Sequence, residues 1–210
     1  MKKLLFAVCA LAAISLLAPN AGFAQEWQNR IGIYTSATAD AATYATTPVG
    51  QFSLYFVLNY PKLADGTDVT QLDAFEFVVT ITGTAGTFFK LAQTLPPNAL
   101  NVGVDSDPFN ANYAVGAASP FPVTNHMATL MTWNCMALGA GPYSFFLHQT
   151  TAPAIPGHMA INVPLEGGNV ELVACDPSSG DYAEAVFTIG TTPPNAVENE
   201  TFGAVKALFR

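Results

Sequence analysis

Charge is scarce in this chain. Only 10% of its 210 residues are Asp, Glu, Lys or Arg, against about a quarter in an ordinary soluble domain, so its surface must be wetted mainly by hydroxyls and amides. Basic residues are the scarcer sign, seven against fifteen acidic, which excludes the cationic footprint that nucleic acid or an anionic membrane requires. Cysteine occurs three times and tryptophan twice, too little for a disulfide-dense scaffold or an extended tryptophan-lined sugar cleft. Helical periodicity is also missing: through the middle of the chain apolar residues do not recur at intervals of three and four. That absence excludes a parallel α/β fold, which needs a helix between strands.

What is present begins with MKKLLFAVCALAAISLLAPNAGFA. Lys2 and Lys3 precede an apolar run from Leu4 to Ala18, and Gly22-Phe23-Ala24 places small residues at the two positions that set a cut. This pattern reads as a secretory signal peptide over residues 1–24, cleaved between Ala24 and Gln25. The apolar run is short for a membrane span, and Cys9 lacks the preceding small residue of a lipidation site. The expected mature chain is therefore exported, to the periplasm, the cell surface or the medium, with no remaining transmembrane span. Loss of the leader leaves Arg30, Lys62, Lys90, Lys206 and Arg210 against fifteen acidic residues, a formal charge of −10. Two cysteines remain, Cys135 and Cys175, and an even count in an oxidising compartment predicts one disulfide. Closing that loop would stabilise the fold by about 4 kcal/mol on the chain-entropy account.

Alternation with period two runs almost throughout. FSLYFVLNY sets Phe52, Leu54, Phe56, Leu58 and Tyr60 on one face; DAFEFVVTIT sets Phe75, Phe77, Val79 and Ile81 on one face with Glu76 and Thr80 on the other. Both read as half-buried strands. RIGIYT, FFKLAQTL, ALNVGV, NYAVGA, HMATLMTWNCM, YSFFLHQ, HMAINV, NVELVAC and AEAVFTIG complete eleven strand candidates. They are separated by turn signals such as ADGTD, LPPN, DSDPFN and DPSSGD, where glycine, proline and aspartate belong. Residues 36–50 read as a long loop or weak edge strand. Many short strands with no intervening helix predict an all-β fold, two antiparallel sheets packed face to face, with a closed barrel as the rival. A single domain over residues 25–190 is expected, followed by a linker and tail over 191–210.

The order GIYT, DAFEF, PPNALNVG, NYAVGAA, MATLMTW, PYSFFL, IPG, CDPSSGDY, AVFTIG and TFGAVKALFR resembles a group of uncharacterised small secreted β-sandwich proteins of environmental bacteria. The resemblance spans nearly all of the mature chain and implies a C-terminal Thr-Trp-Gly segment followed by a basic apolar run, where this chain has Thr201-Phe202-Gly203. A looser likeness is to cohesins and carbohydrate-binding modules. It implies the sandwich, and no activity.

The chemistry-bearing residues are few. No nucleophile elbow is present, and His126, His148 and His158 have no acid partner nearby in sequence. Glu76 and Glu171 are the only strand-borne carboxylates fit to act as a pair, and a glycan-cleaving enzyme is the alternative reading they carry. Residue alternation sets both on the solvated face instead. His126-Met127 and His158-Met159 have copper-type donors, but neighbours on a strand point to opposite faces, leaving Met127, Met131 and Trp133 together on a core face. Asp105 and Asp107 in a loop are the candidate ligands of a structural calcium ion, against the ordinary use of aspartate in turns. Tyr34 and Tyr55 are candidates for stacking a sugar. In the tail, Thr201 caps a short helical turn carrying Phe202, Gly203, Lys206, Phe209 and Arg210, a docking or sorting segment or an element packed on its own domain. The expectation is an exported, non-catalytic binding or structural protein, serving surface or extracellular assembly or the recognition of a protein or glycan.

Overall fold

The computed structural model describes residues 28–38, 44–45, 50–84, 86–139 and 141–190. The leader, Trp27 and the C-terminal tail with its expected helix lie outside the described residues. Within them no α-helix forms; a single 3-10 turn at Glu166–Gly168 interrupts an all-β chain.

Each of the eleven alternating segments contains a strand. They are β1 (Arg30–Tyr34), β3 (Gly50–Asn59), β4 (Gln71–Thr82), β5 (Phe88–Thr94), β6 (Ala99–Asn101), β7 (Asn110–Pro122), β8 (Met127–Ala137), β9 (Tyr143–His148), β10 (Met159–Pro164), β11 (Val170–Pro177) and β12 (Phe187–Ile189). The two-residue β2 (Tyr44–Ala45) lies in the segment expected to be loop or weak edge. Alternation is followed closely in β4, where Phe75, Phe77, Val79 and Ile81 are buried and Glu76 and Thr80 are not. In β3 it holds for Leu54, Phe56 and Leu58, but Tyr60 leaves the strand at positive φ and is half exposed.

The layers are joined. Hydrogen-bonded neighbours run β2-β12-β9-β4-β10-β11-β1-β3-β8-β5, and β7 with β6 flanks the other side of β4. One edge of β4 is shared, Ala74–Glu76 pairing β10 and Val78–Thr82 pairing β9, while its other edge pairs β7 along most of its length. Two separate antiparallel sheets were the expectation. The fold is instead one mixed sheet curled over itself, because β1 joins β11 in parallel through two residue pairs and β12 joins β2 in parallel. Alternation fixes which side chains face inward and is silent on how strand edges meet.

Side chains from β3, β8 and β5 meet those from β4, β7 and β9 in the interior. Phe56 stacks on Phe77 at 5.8 Å and touches Trp133 at 5.0 Å, and Phe88 meets Phe145 edge-on at 5.4 Å. Aromatic pairs of this geometry add stabilisation beyond their buried area. A bulge opposite Phe56 and Val57 makes Leu130 an extra residue on β8. It resets parity, so Met131 and Trp133 enter the core while Met127, expected with them, is only partly buried.

Candidate functional site

A polar network crosses the interior at Tyr113. Its hydroxyl accepts from Trp133 Nε1 at 3.0 Å and Lys90 Nζ at 3.0 Å and donates to Gln93 Oε1 at 2.9 Å. Lys90, with a side chain only 10% exposed, also donates to Asp105 O at 2.5 Å and lies 3.8 Å from Asp105 Oδ2. Burial lowers the Lys90 ammonium from its usual range, and Asp105 opposes that shift. Gln93 Nε2 donates to Asp105 Oδ2. Asp105 and Asp107 have separate partners: Asp105 faces a lysine, and Asp107 Oδ1 accepts the Phe109 amide in a turn. Among the described residues no group of three or more His, Cys, Asp or Glu could hold a metal.

The other candidates separate too. Cys135 on β8 and Cys175 on β11 are buried free thiols rather than a disulfide. Cys135 stands opposite Phe52 and Lys90, whereas Cys175 stands opposite Met159, so each belongs to a different strand set. Burial pushes the Cys135 thiol up to about 12 and raises Cys175 as well. Tyr34 is buried, unlike a sugar-stacking ring: it lies over Gly32, its hydroxyl accepts from Asn59 Nδ2 at 3.0 Å, and burial raises its phenol. Tyr55 is its cross-strand neighbour.

Glu76 and Glu171 do not form a pair. Glu76 sits on the outer parity of β4, and Glu171 on the same parity as buried Val173 and Cys175 of β11. Each carboxylate holds a loop: Glu76 Oε1 accepts from Ala154 N at 2.6 Å and Glu171 Oε1 from Ala64 N at 2.9 Å. Two histidines gain partners that local sequence hid. His126 Nδ1 lies 3.3 Å from Asp68 and stacks on Tyr60; His158 Nδ1 lies 2.9 Å from Asp176, which also meets Arg30 and Tyr182. Of the two copper-type pairs, His158-Met159 is divided, since Met159 is in the core, whereas His126 lies in a turn and Met127 is only partly buried.

Two further surface features stand out among the described residues. The first is the outer face around β4. Rows run across it from Leu100 to Gly116, Ala74, Asn162 and Leu172, and from Ala114 to Glu76, Ala160 and Ala174. A third joins Asn112, Val78 and His148. Hydrogen bonds from Val102 N to Ala114 O and from Asn112 N to Val104 O continue β6 along the same border. Glu76 is the one charged residue in these rows. Leu100, Val102 and Val104 are 67%, 76% and 73% exposed, and Leu172 is 50% exposed. Sequence reading assigned ALNVGV to a strand but had no way to tell that its apolar side was unpartnered.

The second feature is a cleft of about 480 Å³ lined by His148, Gln149, Thr150, Thr151, Pro153, Gly157 and Tyr182. Phe146, His148 and Tyr182 are near-parallel rings in sequence, at 6.2 and 6.4 Å between centroids. His148 Nε2 lies 3.0 Å from Thr80 Oγ1, and desolvation lowers the imidazole below its usual range. Tyr182, pushed up to about 12 chiefly by burial, donates to Cys175 O. The loop wall is fixed by Ala154 N to Glu76 and by Gly157 N to Gln149 Oε1 at 2.7 Å.

No protein-family model matches this chain, and no curated protein does. Among solved structures, the cohesin module from the Clostridium perfringens ATCC13124 family 33 glycoside hydrolase is similar, with a TM-score of 0.42 and 9% identity over 71% of this chain and 98% of that one.

Proposed function

We propose that the chain is an exported, non-catalytic binding or structural protein that docks another protein on the outer face around β4. The observation that carries this reading is the combination of an almost uncharged sheet surface with three aliphatic side chains standing two-thirds or more exposed along its border. Ala160 and Val78 in the middle of these rows are buried, so the accessible part is the β6–β7 border, whose small residues admit close approach and whose desolvation costs little because few charges must be stripped of water. Exposed aliphatics of this kind supply the buried apolar area that drives association. The partner should offer an apolar surface of neutral or positive charge, since the expected mature chain is strongly acidic.

Glycan cleavage by Glu76 and Glu171 is set aside on geometry, as the two lie on different faces. In this reading the basic apolar residues 201–210, with Thr201, Phe202, Gly203, Lys206, Phe209 and Arg210, serve as a docking or sorting segment separate from the sheet face.

A photoreactive residue placed at Val102, in protein produced by its native cells, tests both parts. Adducts of defined mass should form at position 102 and not at the exposed control Thr129, and should disappear when Leu100 and Val104 are replaced by Glu. Deleting residues 201–210 should preserve those adducts while altering where the protein resides. Equal labelling at the two positions, or adducts indifferent to the Glu substitutions, would sink the docking face.

A further inference from the structure

We propose that the cleft between His148 and Tyr182 binds a neutral sugar, at a site distinct from the protein-docking face whose margin it borders. None of the side chains lining it is acidic or basic apart from the imidazole, so a charged ligand would find no counter-ion. Burial lowers the His148 imidazole from its usual range, which disfavours its charged form.

The cleft also offers a polar handle in Gln149. Gln149 is already oriented, because its Oε1 accepts the Gly157 amide, and this leaves the amide nitrogen to donate. One wall is aromatic, and the C–H face of a pyranose packs well against such rings. Volume agrees: about 480 Å³ lies within the ordinary range for small-ligand sites and accepts one or two sugar units.

The site is also preformed. The loop that closes it is tied at Ala154 and Gly157 and stiffened by Pro153 and Pro156, so little chain entropy is lost on binding. His148 and Tyr182 come from β9 and from the connection between β11 and β12, which explains why no local motif announces the site.

The test is a glycan array carrying neutral, sialylated and sulfated glycans, followed by calorimetric titration of the strongest neutral glycan. Saturable binding to neutral glycans is expected, without a requirement for sialic acid or sulfate. Gln149→Ala should weaken that binding roughly tenfold with little change in the thermal midpoint, because Gln149 is exposed. His148→Ala should weaken it as well. Wild-type affinity in both variants overturns the proposal, as does the absence of saturable binding to any neutral glycan. Cross-linking at Val102 should be indifferent to Gln149→Ala, which separates failure of the sugar site from failure of the docking face.

Discussion

Lys90 shows how a single residue can invert a strand. In FFKLAQT, hydrophobicity alone would bury Phe89 and Leu91 and expose the lysine. The structure buries Phe88 and Lys90 and leaves Phe89 and Leu91 39% and 49% exposed. Tyr113, Gln93 and the carboxylate and carbonyl of Asp105 make this tolerable by meeting the ammonium, with Tyr113 and Trp133 rings at 5.5 and 5.3 Å. A bulge between Lys90 and Ala92 brings Gln93 to the same network. None of these partners is near in sequence, and so the inversion was illegible there. Lys90→Met removes the cation while leaving Asp105 partly buried, and should cost about 3 kcal/mol. Thermal melting should then show a midpoint lowered by roughly 6–12 °C; a shift of one or two degrees would mean the ammonium contributes little.

At the scale of elements, the segment that continues β6 is held unusually close to β7. A Cβ at Gly103 would collide with the carbonyl oxygen of Asn112, and glycine inside a strand often marks such an approach. The closeness aligns Leu100, Val102 and Val104 and delivers Asp105 to Lys90. Gly103→Ala should therefore push this border away from β7, costing about 1–3 kcal/mol as overpacking. Hydrogen exchange would register it as faster exchange at the Asn112 and Val102 amides. Unchanged protection at both would show that the border yields without breaking its bonds. Strand positions were readable because period two governs most segments, and in β4 the inward face of Phe75, Phe77, Val79 and Ile81 was read correctly, although the strand starts two residues earlier, at Gln71. Parity at bulges was not: Leu130 is one extra residue on β8, and between Leu72 and Ala74 the single Asp73 lies opposite residues 117–120 of β7, a shift of three, and only the partner strand defines either. Gly32 is similar, since its missing side chain is what lets the Tyr34 ring lie flat and buried rather than project.

For the whole molecule, the joined mixed sheet removes any need for a covalent clamp between layers. The thiols of Cys135 and Cys175 sit in the interior, with burial holding both in the protonated, unreactive form. The purified protein should therefore melt at the same temperature with and without a thiol reductant, and two thiols should react with alkylating reagent only after denaturation. A reductant-dependent drop in midpoint would restore the disulfide. Composition made that expectation reasonable, because an even cysteine count says nothing of where strands place their side chains. The proposed docking face and the cleft lined by His148 and Tyr182 were hidden for a related reason: both are assembled across strands far apart in the chain, whereas sequence patterns report neighbours.

The divided edge of β4 bears on how the chain acquires its shape. Residues 71–82 cannot complete their pairing until β10, Met159–Pro164, has been made. A nascent or truncated product ending before that point would carry a hydrophobic strand with free amides and carbonyls along Ala74–Glu76, a template for misassembly. Such long-range closure also slows folding, which favours keeping the polypeptide unfolded or chaperoned until its last third is available.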